Sequence, residues 1–293
     1  MWIRWVRLTV AVLMLGAAPA ATAQDPTPTA QDPTPTEPGS ALTTTEVSGP
    51  VDASGAARSD PMRTVDGFAI EATTRVDGRT TDRHRILFAA GIAYDVMDDG
   101  SRFFAIYDHA GVTLLDRREQ TRTFIDHRTM IDAAAEAEAA AARSPNAARF
   151  GLKIRPELRD DVYSAHFGPF QYDIHCEQPS QAFISGDYAK FADAAARLNL
   201  LRGRGFPPFA RLALNRQISL DGRVPIETVV SVRGGSQVQT FVCRNVRSEL
   251  LPGDQEWIDR LENMKQLFTS IPLDQFDQAE TIAHSPTRSD SVR

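Results

Sequence analysis

The sequence predicts an α+β fold in which a curved antiparallel sheet of about eight to ten strands is combined with three to four helices. Two observations predict it. From residue 67 to 125, short runs rich in branched and aromatic side chains alternate with turn residues, and loops that short join only antiparallel neighbours. Beyond residue 127, segments with helical spacing alternate with further strand-like runs. We therefore expect a single α+β domain over residues 61–275.

The first 23 residues have the pattern of an export signal. Arg4 and Arg7 precede an apolar run at 8–15, and the small residues at 21–23 suit signal peptidase cleavage. The apolar run is too short to cross the hydrocarbon core of a bilayer. We expect an exported chain, periplasmic or secreted, that is soluble and has no integral membrane span after cleavage.

Residues 24–60 form a Pro- and Thr-rich segment that begins with a tandem repeat, at 24–30 and 31–37. Alternating prolines favour an extended, hydrated chain, so we expect a disordered spacer. Loss of the signal leaves 30 basic against 38 acidic residues, a charge of about −8. This acidic balance argues against a nucleic-acid partner.

The first strand group is predicted as a meander of six strands in chain order. One face of this sheet should be exposed to solvent, and the other face should be covered by later segments of the chain. The predicted strands are 68–76, 83–90, 92–96, 103–107, 112–115 and 121–125.

The second half of the domain is predicted to add four helices and four strands. Thr129 to Asp132 has the form of a capping box at the start of an Ala-rich helix. A disordered tail is expected at 276–293. The predicted helices are 129–143, 187–201, 208–218 and 255–268, and the predicted strands are 162–167, 170–176, 225–233 and 237–247.

The chain has two cysteines, Cys176 and Cys243. In an oxidising compartment a disulfide between them is the default expectation. The alternative is that Cys176, beside His175, is a metal ligand or a nucleophile, although neighbours on a strand point to opposite faces.

Aspartate ends several strands of the meander, and in two cases histidine follows: Asp108 with His109, and Asp126 with His127. These pairs should lie at one rim of the sheet, about 10 Å apart, which is loose for one metal ion. Ordinary turn chemistry is the favoured interpretation. No catalytic motif or cofactor signature is present, so we assign no catalytic residue and no cofactor, and the balance favours a non-enzymatic protein.

Aromatic residues are concentrated in the meander, and a curved sheet with helices over its concave face can leave an apolar cleft. A filled core is the alternative. The candidate ligand-binding residues are Phe88, Tyr94, Phe103, Tyr107 and Phe124.

The meander resembles the periplasmic lipoprotein carriers and receptors of the LolA and LolB type. The similarity lies in an aromatic strand that ends in Tyr-Asp (102–108), a short strand (112–116) and a strand that leads into a helix (121–125). The resemblance implies an incomplete barrel with helices on its apolar concave side, and the handling of acyl chains. The long spacer and the two cysteines depart from that pattern.

From these observations we expect an exported, non-enzymatic envelope protein. It would bind an apolar ligand, such as a lipid or a lipoprotein acyl chain, or a protein partner, in the concavity of the sheet. The alternatives are a metal-dependent hydrolase at the Asp–His rim and a purely structural envelope module.

Overall fold

The structure is a computed structural model that describes residues 67–97 and 102–284, with side chains described for 67–96 and 102–280. The predicted export signal and spacer lie outside the described residues. The described residues form one curved, open sheet of 12 strands with five α-helices, so the α+β class is confirmed. None of the described helices has both the length and the apolar character required to cross a membrane.

Ten of the twelve strands match the predicted ones within a few residues, and β7 and β12 are additional. The strands are β1 Gly67–Val76, β2 Arg79–Ala89, β3 Ile92–Met97, β4 Phe103–Tyr107, β5 Gly111–Asp116, β6 Thr121–Asp126, β7 Glu157–Arg159, β8 Val162–Phe167, β9 Phe170–Glu177, β10 Val224–Gly234, β11 Gln237–Glu249 and β12 Thr269–Ser270.

The helices are α1 His127–Arg143, α2 Ala182–Leu201, α3 Pro208–Leu220, α4 Pro252–Leu267 and α5 Leu273–His284, with a 3₁₀ turn at Ala147–Phe150. The predicted capping box of α1 is wrong. Asp126 is the N-cap and accepts a hydrogen bond from the Thr129 backbone N–H, which places Thr129 inside the helix.

The strand order is β12-β6-β5-β4-β3-β2-β1-β11-β10-β9-β8-β7. The predicted meander β1–β6 is confirmed, and all its neighbours are antiparallel. Only β12 runs parallel to its neighbour, β6. The two strand groups join where β11 pairs with β1, from Phe68 opposite Glu249 to Val76 opposite Phe241.

Two-residue turns close the first two hairpins of the meander. Asp77 and Gly78 link β1 to β2 with φ of 49° and 80°, and Ala90 and Gly91 link β2 to β3 with φ of 52° and 76°. Two consecutive positive φ angles are typical of a type I′ turn, whose twist matches that of the strands. These turns fix which residues lie opposite one another, and therefore which face each side chain occupies.

We call the sheet face that carries Phe68, Ile70 and Phe88 the front face. Helices α1, α2 and α5 cover it over the meander, where Met130, Ile184 and Phe276 enter one apolar core. Helix α3 covers it over β8–β10, where Leu214 and Ile218 pack against Tyr163 and Ile174.

The opposite, back face of the meander is also buried, so the prediction of a wet face is wrong. Helix α4 covers it with Ile258 and Leu261, which pack against Leu87 and Tyr94. Tyr94 lies opposite Leu87 and therefore on the back face, whereas Phe88 lies on the front. Helices thus lie on both faces of the sheet, and not on one side only.

The chain beyond residue 275 is ordered for longer than predicted. Phe276 on α5 is 2% exposed and stacks edge-on against Phe103 at 5.8 Å. Arg202 forms ion pairs with Asp277 and Glu280 of the same helix. The domain therefore extends past the predicted boundary to include α5.

Candidate functional site

The five aromatic residues predicted to bind a ligand are not brought together. Phe88 and Tyr107 are buried on the front face, where both rings contact Phe191 of α2. Phe103 packs against α5. Tyr94 lies on the back face and donates a hydrogen bond to Glu262 at 2.9 Å, and Phe124 is 47% exposed. Over the meander, helices cover the front face. The structure there corresponds to the alternative prediction of a filled core without a cleft.

The front face is open instead where β1, β2, β10 and β11 lie next to α2, α3 and the loop between these helices. Two cavities of about 270 and 360 Å³ lie there. We call them together the front groove. They share four lining residues, which makes them neighbouring parts of one depression: Phe206, Thr228, Val230 and Cys243. The larger cavity falls within the range of volumes typical of small-ligand pockets, and the smaller one lies just below that range.

Apolar side chains form most of the front groove. Val230 and Phe241 lie opposite each other on β10 and β11, and Val76 lies opposite Phe241 on β1. Phe206, in the loop between α2 and α3, closes the groove from above, with its ring 5.0 Å from that of Phe241 in an edge-on contact. Tyr172 lines the larger cavity. A hydrocarbon chain placed here would be removed from water on several sides.

Arg211 supplies the positive charge of the groove. It projects from the first turns of α3 and is half-buried. Its guanidinium donates to the Thr228 hydroxyl at 3.2 Å and to the Tyr188 hydroxyl at 3.5 Å. Arg211 opposes the effect of burial on Tyr172, whose pKa burial raises to about 12, and on Tyr188, whose pKa burial also raises. Both phenols therefore stay protonated and can donate hydrogen bonds near neutral pH.

The expected disulfide is not formed, because the strand order separates the two cysteines. Cys176 lies opposite Pro225 and Cys243 opposite Thr228, on the two sides of β10. Two strand separations put their Cα atoms more than about 9 Å apart, beyond the reach of a disulfide. Both thiols are free.

The two thiols have different surroundings. Cys243 lines the front groove, whereas Cys176 is 5% exposed in the core under α3. Burial raises the pKa of Cys176 to about 12 and also raises that of Cys243. Neither is therefore an activated nucleophile, because nucleophilic attack requires the thiolate. Cys243 is instead a chemical marker of the groove.

A charged triad borders the groove at Asp82. The imidazole of His84 lies between Asp95, at 2.8 Å from Nδ1, and Asp82, at 2.9 Å from Nε2. Burial alone would lower the pKa of His84, but the two carboxylates outweigh it and raise the pKa to about 11. A histidine that stays charged and uses both ring nitrogens cannot act as a general base near neutral pH.

The two Asp–His pairs lie at one rim of the meander, and both carboxylates have structural partners. Asp108 accepts from the backbone N–H groups of Ala110 and Gly111 and pairs with Lys265 at 2.8 Å. Asp126 caps α1. His109 and His127 are exposed. Among the described residues, no group of three or more His, Cys, Asp or Glu side chains is arranged so that it could hold a metal ion, and the geometry of the two Asp–His pairs agrees with turn chemistry.

Comparison with known proteins gives no relative from which a site could be transferred. No protein-family model matches this chain, and no curated protein matches it significantly. Sequence reasoning missed the front groove because its lining comes from five strands, from helices α2 and α3 and from the loop between these helices, which are distant in sequence. Part of the His84 triad was detectable in the sequence, because Asp82 and His84 are two residues apart on a strand and therefore lie on the same face of the sheet.

Proposed function

We propose that this chain is an exported, non-enzymatic envelope protein that binds an apolar ligand, such as a lipid or an acyl chain, in the front groove. The observation that carries the proposal is an apolar depression lined by Val76, Phe206, Val230 and Phe241. The resemblance to lipoprotein carriers and receptors agrees with this ligand class but remains a prediction.

The chemistry around the groove favours binding over catalysis. The Cys243 thiol has a raised pKa, and His84 is held as a cation between two carboxylates. Neither group offers a nucleophile or a base. The metal-dependent hydrolase alternative has less support, because Asp108 and Asp126 already bind backbone N–H groups.

A substitution that fills the groove tests the proposal. Ala196 of α2 lines the larger cavity, and the indole of Ala196→Trp should occupy it. Binding of a fluorophore-labelled dodecanoyl chain should weaken about 10-fold or more, since a blocked pocket loses the apolar burial that drives association. Ala139→Trp on the exposed side of α1 is the matched control and should bind like the wild type.

Cys243 gives an independent readout of where the chain binds. In a Cys176→Ala background, dodecanol should slow the reaction of Cys243 with a thiol reagent, because the occupied groove excludes the reagent. Mass spectrometry of an organic extract of the purified protein would identify any lipid that co-purifies. Absence of probe binding to the wild type, or equal binding by the Ala196 and Ala139 variants, would refute the proposal.

A further inference from the structure

Arg211 differs from Arg85, Arg102 and Arg204, three other half-buried arginines, in what it contacts. Arg85 pairs with Asp254, Arg102 with Asp116, and Arg204 with Glu280. Arg211 has no carboxylate within ion-pair distance among the residues that the structure describes, and its two hydrogen bonds go to the neutral hydroxyls of Thr228 and Tyr188. A charge removed from water without a counter-ion is costly.

The Arg211 guanidinium also has hydrogen-bond donors that are not used within the described residues. It carries five N–H groups in a planar fork that matches a carboxylate or a phosphate, and the structure accounts for only two hydrogen bonds from it. The nearby phenols of Tyr172 and Tyr188 line the same cavity and keep their protons, so both can add hydrogen bonds to an anion.

The two ends of the front groove carry side chains of opposite charge. Arg211 lines the cavity of about 360 Å³, whereas Asp82 lines the neighbouring cavity of about 270 Å³. Phe206 and Val230 border both cavities, and Val76 and Phe241 border the second. An anion would therefore be attracted to the Arg211 end and repelled from the Asp82 end, while the apolar residues between them would contact a hydrocarbon chain.

We propose that the ligand of the front groove is an anionic amphiphile whose carboxylate or phosphate head binds Arg211 and whose hydrocarbon chain extends past Phe206 toward Val76. This inference rests on the proposed function and specifies its ligand. The head is held by charge-assisted hydrogen bonds to the guanidinium, and the chain is held by burial of apolar surface.

A series of ligands that share one chain tests the role of the head. Displacement of the labelled dodecanoyl probe should show dodecanoate and dodecyl phosphate binding about 10- to 100-fold more tightly than dodecanol, as expected for hydrogen bonds to a charged group. Dodecyltrimethylammonium should bind more weakly than dodecanol. Comparison of dodecanoate with dodecyl phosphate identifies which anion the site prefers.

Variants on α3 connect that preference to one side chain. Arg211→Gln should bring dodecanoate and dodecyl phosphate to the affinity that the same variant shows for dodecanol, and Arg211→Lys should retain part of the preference. Arg216→Gln removes an exposed arginine of the same helix and should behave like the wild type. Dodecanol binding that persists in Arg211→Gln shows that the apolar part of the groove is intact in that variant.

The outcomes separate this inference from the proposed function. If dodecanol binds in the groove but the anionic ligands bind no more tightly, or if Arg211→Gln keeps the full preference, the role of Arg211 is refuted and the apolar groove stands. If no dodecyl ligand binds, the proposed function itself fails. If acetate or inorganic phosphate binds as tightly as the amphiphiles, the site takes free anions and the amphiphile proposal is overturned.

Discussion

Four aspartates in or next to the later half of a meander strand have different partners. Asp126 caps a helix, and Asp108 closes a turn and pairs with Lys265. Asp116 is fully buried and forms an ion pair with Arg102, and Asp95 binds His84. The same residue type therefore stabilises a helix end, a turn or a buried cation, according to what the neighbouring element supplies.

The His84 triad predicts a specific pH dependence of stability. The folded pKa of His84 is raised above the unfolded value of 6.5 to about 11. Its stabilising contribution is therefore complete below about pH 6.5 and is lost as the pH rises from there toward 11. His84→Gln should destabilise the protein by about 1–3 kcal/mol near pH 6, and by less at pH 9.5.

Urea unfolding of the wild type and the variant at both pH values measures this difference. His109→Gln is the control, because His109 is exposed at a turn and should show no such dependence. A gap between wild type and His84→Gln that widened with pH would contradict a raised pKa for His84.

Part of the triad could be read from the sequence and part could not. Asp82 and His84 share a face of β2 because they are two residues apart. Asp95 joins them only because the turn at Ala90 and Gly91 sets the register, with Ile86 opposite Asp95. A three-residue turn in its place would have moved Asp95 to the back face.

At the level of elements, α5 anchors the end of the domain on the meander. Phe276→Ala should cost about 3–5 kcal/mol of unfolding free energy, because it removes a fully buried ring from a packed core. The matched control is Phe124→Ala, which removes an exposed ring of β6 and should change stability by no more than about 0.5 kcal/mol. Denaturant unfolding followed by circular dichroism measures both, and equal effects of the two substitutions would contradict the position of α5.

Helices with a clear apolar stripe, and the Ala-rich α1 with its high helix propensity, were predictable from the sequence, whereas α5 was not. The predicted helices 187–201, 208–218 and 255–268 correspond to α2, α3 and α4. The sequence of α5 resembles a polar tail because its buried face includes Glu280, which is covered through ion pairs with Arg202 and Arg204. Because these two arginines are distant in sequence from α5, no local pattern predicts that Glu280 is buried. The strands β7 and β12, three and two residues long, carry too little pattern to be detected.

At the scale of the whole molecule, one continuous sheet connects the two strand groups through the ladder between β1 and β11. We expect a single cooperative unfolding transition, because neither group can open without breaking that ladder or the front-face core. Trp257 on α4 reports on the meander, and circular dichroism reports on all elements. Coincident urea curves are expected, and loss of the Trp257 signal at lower urea would indicate two separately unfolding parts.

The sequence predicted local connections far better than distant ones. Short loops made the meander predictable, since they leave only antiparallel neighbours within reach. The pairing of Phe68 with Glu249 joins residues far apart in the chain, and no local pattern encodes it. The front groove depends on that pairing, because Val76 and Phe241 meet only there, and for this reason the predicted ligand residues fell elsewhere.

The two ends of the open sheet affect how copies of this protein meet. Exposed backbone N–H and C=O groups at a sheet edge are a template on which another molecule can add a strand. Here the outermost strands, Glu157–Arg159 and Thr269–Ser270, are three and two residues long, and the first carries a charged residue at each end. So short an outermost strand offers few hydrogen bonds to an incoming strand, which disfavours edge-to-edge pairing of copies at these two strands.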